Sequence, residues 1–178
     1  MTEHDFEIGT AISRAWNEFS GCAGCRLSCC IYKRLQADKP ANPGATVLAC
    51  EAELLGKRGV AEIAEMNGTR YLRTHDDGTC IYYQTTSGLC GTYENRPLKC
   101  RTHPFILLED PAIGLGALCP NAINKLAEVV SNRHDEIGQL ASVREMFRLF
   151  SEDVIREMLA DNEHLRVRVS VNLRRALR

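Results

Sequence analysis

Cys22-Ala23-Gly24-Cys25-Arg26-Leu27-Ser28-Cys29-Cys30 places four thiols within nine residues. Cysteines separated by two residues, as Cys22 and Cys25 are, bring both sulfurs to one point and suit a tetrahedral metal. Neighbouring side chains of an extended chain point to opposite sides. The vicinal Cys29 and Cys30 therefore suit two metal centres, or two corners of a cluster, better than one small ion. Gly21 and Gly24 give this loop the backbone freedom that a tight turn around a metal needs.

Four more cysteines follow at Cys80, Cys90, Cys100 and Cys119, the last three within residues 87–120, a stretch broken by Gly88, Gly91, Pro97, Pro104, Pro111, Gly114, Gly116 and Pro120. That stretch has little local reason to be ordered, and its thiols supply one. With the first four they make eight, the number that two four-thiolate sites require. Either zinc or an iron–sulfur cluster satisfies that count. The ninth, Cys50, falls inside a predicted helix and reads as a small buried hydrophobe.

The bulk composition narrows the compartment and the partners. The chain has 178 residues, 44% hydrophobic and 25% charged, with a formal net charge of −1. That suits one globular domain over residues 1–178, and nothing in the charge favours nucleic acid. Arginines gather near the C-terminus at Arg166, Arg168, Arg174, Arg175 and Arg178, read as a solvated basic tail. No apolar run approaches the ~18 residues of a membrane span, and the first residues lack a signal-peptide pattern. The expectation is a cytoplasmic protein. In that reducing setting, clustered cysteines point to metal or redox chemistry rather than to disulfides.

Periodicity assigns the remaining elements. Ile8, Ile12, Ala15, Trp16 and Phe19 mark one face of a helix over residues 6–19, ending near Ser20-Gly21. A short helix is expected from Cys29 to about Gln36, closed by the Pro40 and Pro43 loop. Residues 45–66 read as mostly helical. Residues 69–73 and 79–83 form a predicted hairpin around Asp76-Asp77-Gly78. Helical spacing returns over residues 121–130 and 142–159, the second with Ser142 and Glu145 as a capping box. Leu165, Val167, Val169 and Val171 alternate as a closing strand. The expected class is α+β: a small, mainly helical domain with a loop-rich, metal-organised centre and a minor β-hairpin. Residues 20–120 form the cysteine-cluster region and residues 121–178 the C-terminal helices and tail.

These residues carry a resemblance. Cys22, Cys25, Cys29 and Cys30 resemble the signature of the YkgJ-type cysteine-cluster family, the zinc- or iron-chelating CxxCxxCC proteins. Gly78-Thr79-Cys80-Ile81-Tyr82 and the run from Cys90 through Tyr93-Glu94-Asn95-Arg96-Pro97 to Cys100-Arg101-Thr102-His103-Pro104-Phe105 are similar to its second motif. Cys119-Pro120 matches its last cysteine. The resemblance covers residues 20–120 and departs at one point, where three residues separate Cys25 from Cys29. It implies metal binding. Its relatives include flagellin lysine N-methylases, so it also admits an enzyme acting on a protein or peptide.

Around the cysteines, Arg96 and Arg101 flank Cys100. A four-thiolate site carries excess negative charge, and a guanidinium beside it offsets that charge. Pinning the loop against acids such as Glu94 is an equal alternative, and substrate binding a third. His103 is a possible extra ligand, although eight cysteines already fill the coordination count. His75 reads as a solvated turn residue, and Tyr82, Tyr83 and Tyr93 as packing around the metal loops. Three functions follow: a structural metal module that serves a protein or peptide partner, an iron–sulfur redox protein, or a peptide-modifying enzyme. The sequence leaves the oligomeric state and any catalytic residue open.

Overall fold

The computed structural model describes residues 1–20, 30, 44–60, 62–108, 113–116, 119, 134–164 and 169–172. The chain divides into two compact units, one made of Met1–Gly24 with Arg101–Arg178 and the other of Cys25–Cys100. Cys22, Cys25, Cys29, the helix expected after Cys29, the helix expected over residues 121–130 and the arginine-rich tail lie outside the described residues.

In the first unit the N-terminal periodicity becomes α1, Glu3–Ser20. Phe6, Ile8, Ile12 and Trp16 are buried, the last three at the spacing of four that keeps side chains on one helical face. Glu3 and Asp5 place negative charge at the positive end of the helix dipole. Strands β6 (Phe105–Leu107), β7 (Ile113–Gly116) and β8 (Val169–Asn172) form an antiparallel sheet with β7 in the middle. Phe105 pairs with Leu115 and Leu107 with Ile113. The Trp16 ring meets the Phe105 ring edge-on, with centroids 5.2 Å apart. Helices α4 (His134–Phe147) and α5 (Glu152–His164) also belong to this unit, and α1 packs on α4.

Two expectations are corrected here. Residues 142–159 are not one helix: Phe147, Phe150, Val154 and Met158 are all buried, but the chain turns between α4 and α5. Ser142 and Glu145 therefore lie inside α4 rather than at its start. The proline- and glycine-rich stretch is also more regular than its composition suggests, because β6 and β7 pair with each other and with the C-terminal β8.

In the second unit β1 (Thr46–Val47), β3 (Thr69–Leu72) and β2 (Ile63–Met66) form an antiparallel sheet in that order. A 3-10 turn, Ala49–Glu51, runs into α2, Ala52–Lys57. Val47, Leu48, Leu55, Val60, Tyr71, Leu72 and Leu98 are buried. The mostly helical reading of residues 45–66 is thus only half met, since both ends are strands. Thr69–Leu72 pairs with Ile63–Met66 rather than with residues 79–83. The reason is the two-residue turn Asn67-Gly68, with φ of 53° and 76°. Such a turn matches the twist of a tight hairpin, and Asn-Gly is its preferred sequence. The Asp76-Asp77-Gly78 turn does form: Gly78 N–H donates to the His75 carbonyl at 2.8 Å and Thr79 N–H to the Asp77 carboxylate at 2.8 Å. Its limbs meet at the His75 N–H bond to the Thr79 carbonyl, the Thr74–Cys80 bridge and the Ile81 N–H bond to the Arg73 carbonyl. The α+β class holds, with small antiparallel sheets carrying more of the fold than a minor hairpin.

Candidate metal centre

Among the described residues, four of the predicted ligands belong to the second unit: Cys30, Cys80, Cys90 and Cys100. Short elements position three of them. Cys80 closes the bridge to Thr74, and its N–H donates to the Cys30 carbonyl at 2.9 Å. Cys90 ends β5 (Leu89–Cys90) and pairs with Tyr83 of β4 (Tyr83–Gln84). Gly91 N–H donates to the Tyr82 carbonyl at 2.7 Å, which ties the segment after Cys80 to the segment after Cys90. A methyl group at Gly91 would stand 3.0 Å from the Gln84 side chain, so this crossing is tight. Cys100 is the third residue of α3, Leu98–Thr102, and its N–H bonds to the Pro97 carbonyl at 2.9 Å.

Burial and neighbouring charge raise three of these thiols. Desolvation is the largest influence on Cys80 and pushes its thiol up to about 11, with the charges of Cys30 and Cys90 adding to the rise. Burial also raises Cys90, and the charge of Cys30 raises it further. Cys100 is pushed well above the ordinary thiol range by desolvation first, then by Cys30, Cys80 and Cys90. Two features favour the thiolate. The backbone N–H of Tyr82 donates to the Cys80 sulfur and that of Thr92 to the Cys90 sulfur. The Arg96 guanidinium lowers both Cys90 and Cys100. Arg96 is itself held, 3.5 Å over the Tyr93 ring, with its Nε donating to the Tyr93 carbonyl at 2.8 Å.

The remaining predicted residues are placed elsewhere. Cys119 is buried in the first unit, with its N–H directed to the Gly116 carbonyl. Arg101 is also buried there. Its guanidinium lies 3.8 Å over the Phe6 ring and donates to the Thr10 hydroxyl, so it braces α1. His103 is half-buried in the same unit. Cys50 is only half-buried on the 3-10 turn, not enclosed in a longer helix. The described cysteines are thiols rather than disulfides.

Among the described residues no group of three or more His, Cys, Asp or Glu side chains is gathered tightly enough to hold a metal as it stands. The donor set nevertheless fits one. Mutually repelling, desolvated thiols gain from a cation that neutralises them together, and soft sulfur ligands select zinc or iron–sulfur chemistry.

Comparison with known proteins adds an independent observation. The family model described as "CxxCxxCC: Putative zinc- or iron-chelating domain" matches residues 21–129. The chain belongs to the CxxCxxCC family. The match spans all eight cysteines read as ligands, from Cys22 to Cys119, and agrees with the resemblance drawn from their spacing. Metal binding follows from that membership. No curated protein and no solved structure matches the CxxCxxCC chain. Among the described residues no helix is long and apolar enough to cross a membrane. One contributor gave no sequence signal. Glu51, fully buried, accepts the Leu98 N–H at the start of the helix that carries Cys100.

Proposed function

We propose that Cys30, Cys80, Cys90 and Cys100 form one metal centre, zinc or iron–sulfur. The observation that carries this centre is backbone geometry: Cys80 N–H bonds to the Cys30 carbonyl and Gly91 N–H to the Tyr82 carbonyl, which tie the segments bearing Cys30, Cys80 and Cys90 together, while backbone N–H groups meet the Cys80 and Cys90 sulfurs. Hydrogen bonds to sulfur and a nearby guanidinium are what a negatively charged thiolate site needs around it. Bound metal would cross-link the segments that carry these cysteines, and Arg96 would offset residual charge. A closed set of four thiolates leaves no open position for substrate, which favours a structural centre over a hydrolytic one. Exposed Leu89 and Tyr93, beside Cys90, give such a module an apolar surface for a protein or peptide partner. An iron–sulfur redox centre is the second reading, favoured by the vicinal Cys29-Cys30 pair.

Anaerobic purification followed by elemental analysis and a visible spectrum separates these readings. Colourless protein with zinc near stoichiometry supports the structural module. Brown protein with matched iron and acid-labile sulfide supports the redox centre. Well-folded protein with neither metal overturns the proposal.

A further inference from the structure

Cys100 sits on a helix of five residues, Leu98–Thr102. A helix so short does not hold itself in water, because its few hydrogen bonds do not repay nucleation. Its first N–H groups have no partner within the helix. Leu98 N–H finds one 47 positions earlier in sequence: the Glu51 Oε2, at 2.7 Å. The other carboxylate oxygen, Oε1, accepts Leu48 N–H at 2.9 Å. Glu51 and Leu98 are both fully buried, so neither bond is exchanged readily for water. A carboxylate that accepts backbone N–H bonds in a dry site makes strong, geometrically demanding contacts.

Resting on the metal-centre reading above, we propose that Glu51 is a positioning residue for that centre, holding the start of α3 so that the Cys100 sulfur meets the other thiols. Its effect on metal passes through Cys100 alone, much as residues behind a metal's ligands set their orientation. Glutamine keeps the size of the side chain but has one acceptor oxygen where the carboxylate has two, so one of the two backbone N–H groups then faces an amide donor.

The test uses cobalt(II) as a thiolate-sensitive probe, with affinity measured by competition against a chromophoric chelator. Four proteins are compared: wild type, Glu51→Gln, Cys100→Ser and the double variant. The expected result is an affinity loss of about 10–100-fold for Glu51→Gln, typical of residues that orient a ligand. In the Cys100→Ser background the same change is expected to cost less than about twofold, since coupled residues are non-additive. Equal losses in both backgrounds, or no loss in either, overturn the positioning role while leaving the metal centre intact. A wild type that takes up no cobalt overturns the centre and the positioning role together. If Glu51→Gln does not fold, amide exchange of wild type with and without zinc decides. Zinc should slow exchange at Leu98, and an unchanged rate there overturns the proposal.

Discussion

Cys100→Ser is expected to weaken metal binding by at least about a hundredfold, since losing a ligand costs more than losing a residue that merely orients one. Serine is a hard donor with a poorly acidic hydroxyl, whereas zinc and iron–sulfur centres are selected by soft thiolates. Cys100 is also raised by the charges of all three others, Cys30, Cys80 and Cys90. Binding free energy at a structural thiolate site is folding free energy, about 10–16 kcal/mol for zinc in small domains. The variant should therefore show lower metal affinity by chelator competition and a lower melting temperature in the presence of zinc. Cys50→Ser is the control. Cys50 lies on the 3-10 turn and does not influence the raised thiols, so affinity should stay at the wild-type value. Equal effects of the two substitutions would remove Cys100 from the centre.

Asp5→Ala is expected to destabilise the first unit by about 2–4 kcal/mol at neutral pH, since buried donors deprived of their acceptor cost ~1–3 kcal/mol each. The Asp5 carboxylate accepts four hydrogen bonds: Thr2 N–H at 2.7 Å, the Thr2 hydroxyl at 2.9 Å, Ser151 N–H at 2.7 Å and the Ser151 hydroxyl at 3.1 Å. Ser151 immediately precedes α5, so one side chain near the N-terminus fixes the start of a helix 146 positions away. Desolvation raises the Asp5 carboxyl, but the hydrogen bonds from Ser151 and Thr2 outweigh it and leave it below the ordinary value of 3.8. A lowered folded-state value means that the stabilisation is fully present above 3.8 and is lost as pH falls from there through the folded value. Asp5→Asn, which keeps the shape without the charge, should match that behaviour. Its stability gap to wild type, measured by denaturant unfolding, should be largest near neutral pH and narrow on acidification below 3.8. A gap that stays constant into acid would show that the carboxylate charge contributes nothing.

The sequence made legible those features whose cause is local. α1 follows from Ile8, Ile12 and Trp16 at helical spacing, and its observed end at Ser20 lies just before Gly21. The thiols of the second unit follow from cysteine count, and Arg96 from its place between Cys90 and Cys100. Asn67-Gly68 was also local, a hairpin signal outweighed by the helical look of the residues before it. Elements fixed by distant partners were not legible. β7 contains Gly114 and Gly116, which weaken a strand taken alone, yet β6 and β8 flank it. The residue before α5 bonds to Asp5, and the first residue of α3 bonds to Glu51. Both are acids buried against backbone N–H groups far away in sequence, and nothing in their immediate neighbours distinguishes them from solvated carboxylates. Arg101 shows the converse. Its neighbour Cys100 suggested a role at the metal, whereas its guanidinium lies on Phe6.

That Cys30, Cys80, Cys90 and Cys100 share one centre is tested most directly by alkylation of the native protein, read out at each cysteine by mass spectrometry. The protein is treated as purified under anaerobic conditions, then again after chelation of its metal. In the loaded protein these four thiols should react slowly and to the same extent, and all four should become reactive together once the metal is removed, while Cys50 reacts alike in both states. If metal removal changed the reactivity of only some of the four, or of none in a protein that had demonstrably lost its metal, they would not form one centre.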